Sequence, residues 1–475
     1  MKKKKRTNTP FKQDDREVWP RPADHLFSSW AFSLSLHSLW TLPPAVAQHG
    51  GLAFLLAYAA AVALVGAPLL LLEVCTPLKA GLYLYVNFQV AIGQYSGLPT
   101  SVLFRHLFPL LAGLGLSIPL MAILRAMLDL GVLMWSGRGL FHLFSYQAVS
   151  EGFFTKDILA KSASNLDQLG DLNHQLLLVL GIAAITTFVC VVASTKSVGK
   201  ACMVAVPTAF MLLVSLTIRA CLAPGAPNAV LRLLTPDWEA LTRPSTWLEA
   251  TAQAVFSLQL GLGAFSTFAS YSRFSSNLVR DTAIMTVAHL VWVLLSTVLT
   301  FSLIGLAQLG SYPPNNNGLP RALMPDDVDT GIWLAAATLL EKAFATLSYG
   351  WLWAGLYFIL IILVGVTSLF GYVEVVTSSL FSLKPSMGRF KPLIAFLVLA
   401  VLFLADLVLA TAGGIHIYHL LISYIASWPA LLFSFLTLLA TLLCHGVGHL
   451  MRDVADMARW TLMFKVWSQS CFLSG

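Results

Sequence analysis

Long apolar stretches alternate with short polar segments along most of the chain. They lie near 27–47, 52–74, 107–135, 175–194, 201–221, 248–269, 283–309, 349–383, 392–412 and 415–446. About 20 apolar residues are enough to cross a bilayer as a helix. Each stretch therefore predicts a span, giving ten. The segment from Trp460 to Gly475 is too short and too polar for an eleventh. The implied organisation is an N-terminal tail over 1–24, a membrane domain over 25–447 and a C-terminal segment over 448–475.

Two spans carry breakers. The first contains Pro43-Pro44 and then Gly50-Gly51; the sixth contains Gly261-Leu262-Gly263 in mid-run. Backbone freed from helical bonding at membrane depth is tolerated only where it is buried in protein or lines a cavity. Spans one and six correspond in two five-span halves, the arrangement of inverted-repeat transporters with a midplane site. Gly and Pro are also frequent in ordinary membrane helices, so from pattern alone a transporter and a pair of packing kinks both remain open.

Composition agrees with a membrane protein. The chain has 475 residues, 57% hydrophobic and 11% charged, where a soluble domain is about a quarter charged. The net charge of +7 fits Lys and Arg gathered in cytoplasmic loops and gives no reason to expect nucleic acid. With the N-terminus inside, Lys79, Arg105, Lys196, Lys200, Arg273, Arg280, Lys384, Arg389 and Lys391 fall in inner loops, and Arg452, Arg459 and Lys465 in an inner C-terminal segment. The start Met1-Lys2-Lys3-Lys4-Lys5-Arg6 is followed by no apolar run before about Asp24, so it reads as a cytoplasmic tail and not as a signal peptide. The six cysteines have no CxxC spacing, which suggests no metal site. No nucleophile–base constellation stands out, so an enzyme is not expected.

A series of local motifs then resembles the neurotransmitter:sodium symporter family. Gln48-His49-Gly50-Gly51-Leu52-Ala53-Phe54 is similar to the signature after the family's first helix. Gly66-Ala67-Pro68-Leu69 through Glu73, and Gly93-Gln94-Tyr95-Ser96-Gly97, resemble its second helix and following loop. Ser197-Val198-Gly199-Lys200, Leu222-Ala223-Pro224-Gly225-Ala226, Leu234-Thr235-Pro236-Asp237, Gln253 through Tyr271, Arg280-Asp281, Gly413-Gly414-Ile415 and the run from Ser423 to Met457 follow in family order. The resemblance implies an all-α LeuT-type inverted repeat of two five-helix halves with helices 1 and 6 discontinuous. It also implies sodium-coupled transport of a small neutral or zwitterionic solute, such as an amino acid, across the plasma membrane. It covers roughly residues 20–470 and stops where the family's last two helices would follow.

Carried over position by position, the resemblance implies one sodium site from Ala31, Leu34, Val364, Thr367 and Ser368. It implies a second from Ser33, Ser38, Ser257 and His289, where a histidine stands for an amide and offers sodium only ring nitrogens. Chloride ligands would be Tyr58, Gln253 and Ser257, with Val293 in place of a serine. Substrate contacts would be Ser35, Asp129, Phe256 and Gly261. The partners implied are a small-molecule solute and the lipid bilayer; the oligomeric state is open.

Several departures point another way. The stretch Leu34 to Thr41 has lost the family's glycines, and Thr41 takes the place of its outer-gate arginine. An unwound backbone without Gly is expected to cost more. Ser35 replaces the aspartate of amine transporters, which argues against a monoamine. Asp129, with Arg125 one turn before it, stands where the family has a tyrosine. This is either a polar contact for substrate or a self-neutralised pair at i,i+4. Residues 75–90 interrupt the family's spacing and are expected to lie at the inner interface. The outer loop after span three has no cysteine for the family's disulfide. These features support a second reading: a transport-inactive or truncated relative acting as an interaction or regulatory membrane protein.

Overall fold

The computed structural model describes residues 18–75, 112–149, 152–158, 170–193, 195–272, 278–308, 340–383, 390–425 and 428–445. Residues 76–90 of the expected insertion, the basic tail up to residue 17 and the segment from 446 onward lie outside the described residues.

The described chain is almost wholly helical. Its helices are α1 (Pro22–Ser33), α2 (Leu36–Trp40), α3 (Leu42–Gln48), α4 (Leu52–Ala61), α5 (Ala67–Cys75), α6 (Ala112–Tyr146), α7 (His174–Val191), α8 (Thr195–Cys221) and α9 (Ala226–Leu234). They continue as α10 (Pro244–Ser257), α11 (Ala264–Ser270), α12 (Leu278–Gln308), α13 (Gly350–Leu383), α14 (Lys391–Asp406), α15 (Gly414–Ile425) and α16 (Trp428–His445). A π-helical turn over Val62–Gly66 joins α4 to α5. Among the described residues, seven helical stretches are long and apolar enough to cross a membrane. The remaining apolar runs are the two broken segments, α1–α3 and α10–α11, and the shorter α14. The protein is thus a polytopic helical membrane protein.

The first span breaks in a different place from the one its prolines suggested. Pro43 and Pro44 occupy the first turn of α3, where the missing amide is not needed for helical bonding. The break itself falls at Leu34–Ser35, between α1 and α2. Leu34 leaves the helix at φ −79°, ψ 80°, and Ser35 is extended at φ −87°, ψ 150°. Neither angle is left-handed, so the lost glycines are not required. The Ser35 hydroxyl accepts from the Ser38 amide and so caps the restarted helix α2. The sixth-span break is of the other kind. Gln259, Gly261 and Gly263 have φ values of 56°, 79° and 78°, a conformation that glycine adopts without strain.

The two breaks sit at the centre of the bundle. Helices α6 and α13 pack along their lengths, and α1 lies against α8 and α13. Gly371 of α13 lets Phe32 approach so closely that an added Cβ would collide with the ring. Gly66 admits the Leu258 side chain in the same way, with 2.8 Å left for a Cβ. Span two therefore packs against the sixth-span break. At the end from which the chain enters, the Trp19 indole donates to the Phe268 carbonyl at 2.8 Å, and its amide to the Tyr271 carbonyl at 2.9 Å. Lys391 closes the same end, 3.4 Å from Glu374, which also accepts from the Tyr271 hydroxyl at 3.1 Å.

Candidate functional site

Short links hold the two breaks together. The Ser35 hydroxyl donates to the Ser257 carbonyl at 2.7 Å. Both residues are fully buried. Next to them, His289 Nδ1 lies 3.1 Å from the Ser33 carbonyl, while Nε2 lies 2.9 Å from the Tyr58 hydroxyl and 3.3 Å from Ser257 Oγ. A carbonyl oxygen only accepts, so Nδ1 carries the proton and Nε2 is the acceptor. Tyr58 and Ser257 are themselves 2.7 Å apart. Ser33, Tyr58, Ser257 and His289 thus form one closed, buried network.

Ser38 and Gln253 stand apart from it. The Ser38 hydroxyl donates to the Ser35 carbonyl at 2.7 Å and accepts from the Trp292 indole at 3.0 Å. Gln253 donates to Glu249 at 2.8 Å, and its amide oxygen lies 2.7 Å from His37 Nε2. That oxygen accepts, so His37 Nε2 is the donor. The chain Glu249–Gln253–His37 joins positions 216 residues apart in sequence and was not legible beforehand.

A second cluster lies where α13 crosses the first break. Thr367 Oγ1 is 2.9 Å from the Val364 carbonyl and 3.5 Å from that of Ala31. Ser368 is beside Thr367 and fully buried. Leu34, at the break, donates its amide back to Trp30 and Ala31. The oxygens of Thr367, Val364 and Ala31 gathered here are uncharged, the set a hard cation takes, and Ser368 carries a further hydroxyl at the next position. Their chemistry fits sodium, with Thr367 and Ser368 supplying hydroxyls and Ala31 and Val364 carbonyls. One contact went unforeseen. Gln259 donates to Ser368 Oγ at 3.4 Å and accepts from the Tyr372 hydroxyl at 2.9 Å, so the sixth-span break reaches the same cluster.

Of the expected substrate residues, Phe256 lines a small central cavity with His37, Arg125 and Gln259. Gly261 packs on α16: a Cβ there would meet Ser434 Oγ at 2.7 Å and the Ala430 carbonyl at 2.8 Å. Asp129 is buried on α6 with a carboxylate oxygen 3.9 Å from Arg125.

Comparison with known proteins decides the family. The sequence model of the sodium:neurotransmitter symporter family matches residues 16–149 and 142–474. The chain belongs to this family. It is 24% identical to the bovine (Bos taurus) sodium-dependent dopamine transporter over 98% of its own length and 69% of that protein's. It is 26% identical to the Drosophila melanogaster sodium-dependent serotonin transporter, covering 93% of this chain and 72% of the relative. The human sodium- and chloride-dependent creatine transporter 1 is also 26% identical, with the same coverage. The family is one of transporters, and sodium-coupled symport is the activity that membership supports.

Proposed function

We propose that this chain is a sodium-coupled symporter of a small neutral or zwitterionic solute, working by alternating access at the plasma membrane with its N-terminus in the cytoplasm. The observation that carries this reading is the oxygen cluster of Ala31, Val364, Thr367 and Ser368 at the junction of the first-span break and α13. A cation held there would add a polar bridge between α1 and α13, which already pack through Phe32 against Gly371 and Tyr372 and share the 3.5 Å contact of Thr367 with the Ala31 carbonyl. Sodium would thereby favour the conformation in which they are joined, and a solute lodged between the breaks would be coupled to it through Gln259. A ligand shifts a conformational equilibrium only by its differential affinity for the states, and a bridge made in one state supplies that difference.

Ser35 carries no charge and is occupied by Ser257, which supports a neutral or zwitterionic solute over a simple cationic amine. The test is uptake of a mixed labelled pool of amino acids, guanidino acids and amines into proteoliposomes under a sodium gradient. Accumulation that collapses when sodium is replaced by N-methylglucamine supports the reading. Accumulation that ignores the cation overturns it, as does its complete absence from correctly inserted protein.

A further inference from the structure

The central cavity has a feature that the family positions above do not explain. It lies between the two breaks and α6, with room for about one water molecule. Arg125 points into its lining, together with His37, Phe256, Gln259, Leu260 and Leu262. We propose that Arg125 is the residue that recognises the transported solute, by binding a carboxylate at the solute's anionic end. This rests on the symporter reading and specifies its substrate class: a small carboxylate-bearing zwitterion.

Arg125 is the fourteenth residue of the 35-residue helix α6, well inside the span, and is only 8% exposed. A guanidinium at this depth is costly and is ordinarily paired within the bundle or used. Its ion partner does not satisfy it. Asp129 stands 3.9 Å away, beyond hydrogen-bond reach. Among the described residues Asp129 Oδ2 and Arg125 Nε both lack a hydrogen-bond partner. A self-neutralised pair would close that gap, since helical neighbours at i,i+4 are free to meet. The guanidinium, hydrogen-bonded to the Tyr372 hydroxyl, instead stands between Asp129 and the cavity, and the rest of its planar fork of donors matches a carboxylate.

The rest of the lining sets what accompanies the carboxylate. His37 donates from Nε2 to Gln253, whose amide is oriented by Glu249, so Nδ1 keeps its lone pair and can accept from a solute N–H group. Phe256, Leu260 and Leu262 supply apolar wall. Asp129, behind Arg125, offers a negative charge to an ammonium or guanidinium once Arg125 turns to the carboxylate. A cationic amine without a carboxylate would find Asp129 still shared with Arg125 and would bring a second positive charge beside the guanidinium. Because the cavity is nearly filled in this conformation, entry of a solute requires the surrounding side chains to part.

The experiment uses the purified full chain in detergent and reads thermal stabilisation by matched ligands in sodium. Each pair is an amino or guanidino acid and its decarboxylated amine: alanine with ethylamine, leucine with isoamylamine, guanidinoacetate with methylguanidine. The expected result is that at least one carboxylate member stabilises the protein at a concentration tenfold or more below its amine partner. Arg125→Gln should abolish that preference. Arg125→Lys, which keeps the charge but not the fork, should weaken carboxylate binding at least tenfold while still giving a cooperative, monodisperse protein. An amine that binds as well as its acid overturns the proposal. So does a preference that survives in Arg125→Gln, or a wild-type protein stabilised by no carboxylate. Stabilisation of the wild-type chain by sodium alone, recorded alongside, separates failure of the carboxylate assignment from failure of the symporter reading.

Discussion

The hydroxyl of Ser35 donates to the carbonyl of Ser257 across 2.7 Å, and this bond ties the break in the first span to the break in the sixth. Both groups are buried, and the Ser257 carbonyl belongs to the last residue of α10, where no helical amide remains to bond it. Replacing Ser35 by Ala removes that bond and the cap on α2 together. Each is worth about 1 kcal/mol, so the expected result is a clear fall in melting temperature with faster amide exchange at residues 33–38. An unchanged melt and unchanged exchange would show that the breaks are held elsewhere.

The sequence made the spans legible because a bilayer demands about 20 apolar residues in succession. It also made the sixth-span break legible, because Gly261 and Gly263 mark left-handed backbone. The first-span break was legible only through family resemblance. Its visible signals, Pro43-Pro44, sit harmlessly in a first helical turn, whereas the break uses Leu34 and a capping Ser35 at ordinary angles. That His289 is a poor sodium ligand is legible from its chemistry; its bonds to Ser33 and Tyr58 are not, because they join residues 256 and 231 positions apart. The same holds for Gln259, whose backbone takes a positive φ and whose side chain links Ser368 to Tyr372, more than 100 positions away.

Asp406, at the end of α14, is fully buried, and neither carboxylate oxygen has a hydrogen-bond partner among the described residues. An unsatisfied buried polar group costs about 1–3 kcal/mol. Asp406→Leu, of similar size, is expected to raise the melting temperature measured by intrinsic fluorescence. A fall would mean that the carboxylate has a partner that this conformation does not show.

Orientation follows from the bias of Lys and Arg toward the cytoplasmic face. Lys200, exposed near the start of α8, should face the cytoplasm, and Asp171, exposed before α7, should face outward. In a cysteine-free background, Asp171→Cys should react with a membrane-impermeant maleimide on intact cells, and Lys200→Cys only after permeabilisation. The opposite pattern would invert the topology.

Chloride dependence is expected to be weak. The Gln253 amide nitrogen is bound to Glu249, Tyr58 and Ser257 are bound to each other, and His289 Nε2 stands where it draws the Tyr58 proton. An anion entering here would have to take those donors from partners at 2.7–2.9 Å. Replacing chloride by gluconate should leave both sodium-dependent stabilisation and uptake nearly unchanged. A large loss of either would show that the network opens to admit the anion.

Sodium affinity should depend on Thr367 and Ser368 more than on Ser257. The Thr367 hydroxyl lies between carbonyls of α13 and α1, and Ser368 adds an oxygen from the next position. The bond from Thr367 to Val364 is one that helical threonines make routinely and contributes little by itself. Its separation from Ala31, 3.5 Å, is long for a hydrogen bond and leaves both oxygens available to a cation. Ser257, in contrast, is held by Tyr58 and His289, and the nitrogens of His289 are poor ligands for sodium. Thr367→Val keeps the shape and removes the oxygen; Ser368→Ala does the same at its neighbour. Each lost oxygen should cost about 1–3 kcal/mol, or roughly five- to more than a hundredfold in affinity. Sodium titrations of thermal stability should therefore shift strongly for the double variant and only slightly for Ser257→Ala. The assignment fails if the double variant keeps the full sodium response while Ser257→Ala abolishes it, for the cation would then be bound through the network around Tyr58 and His289.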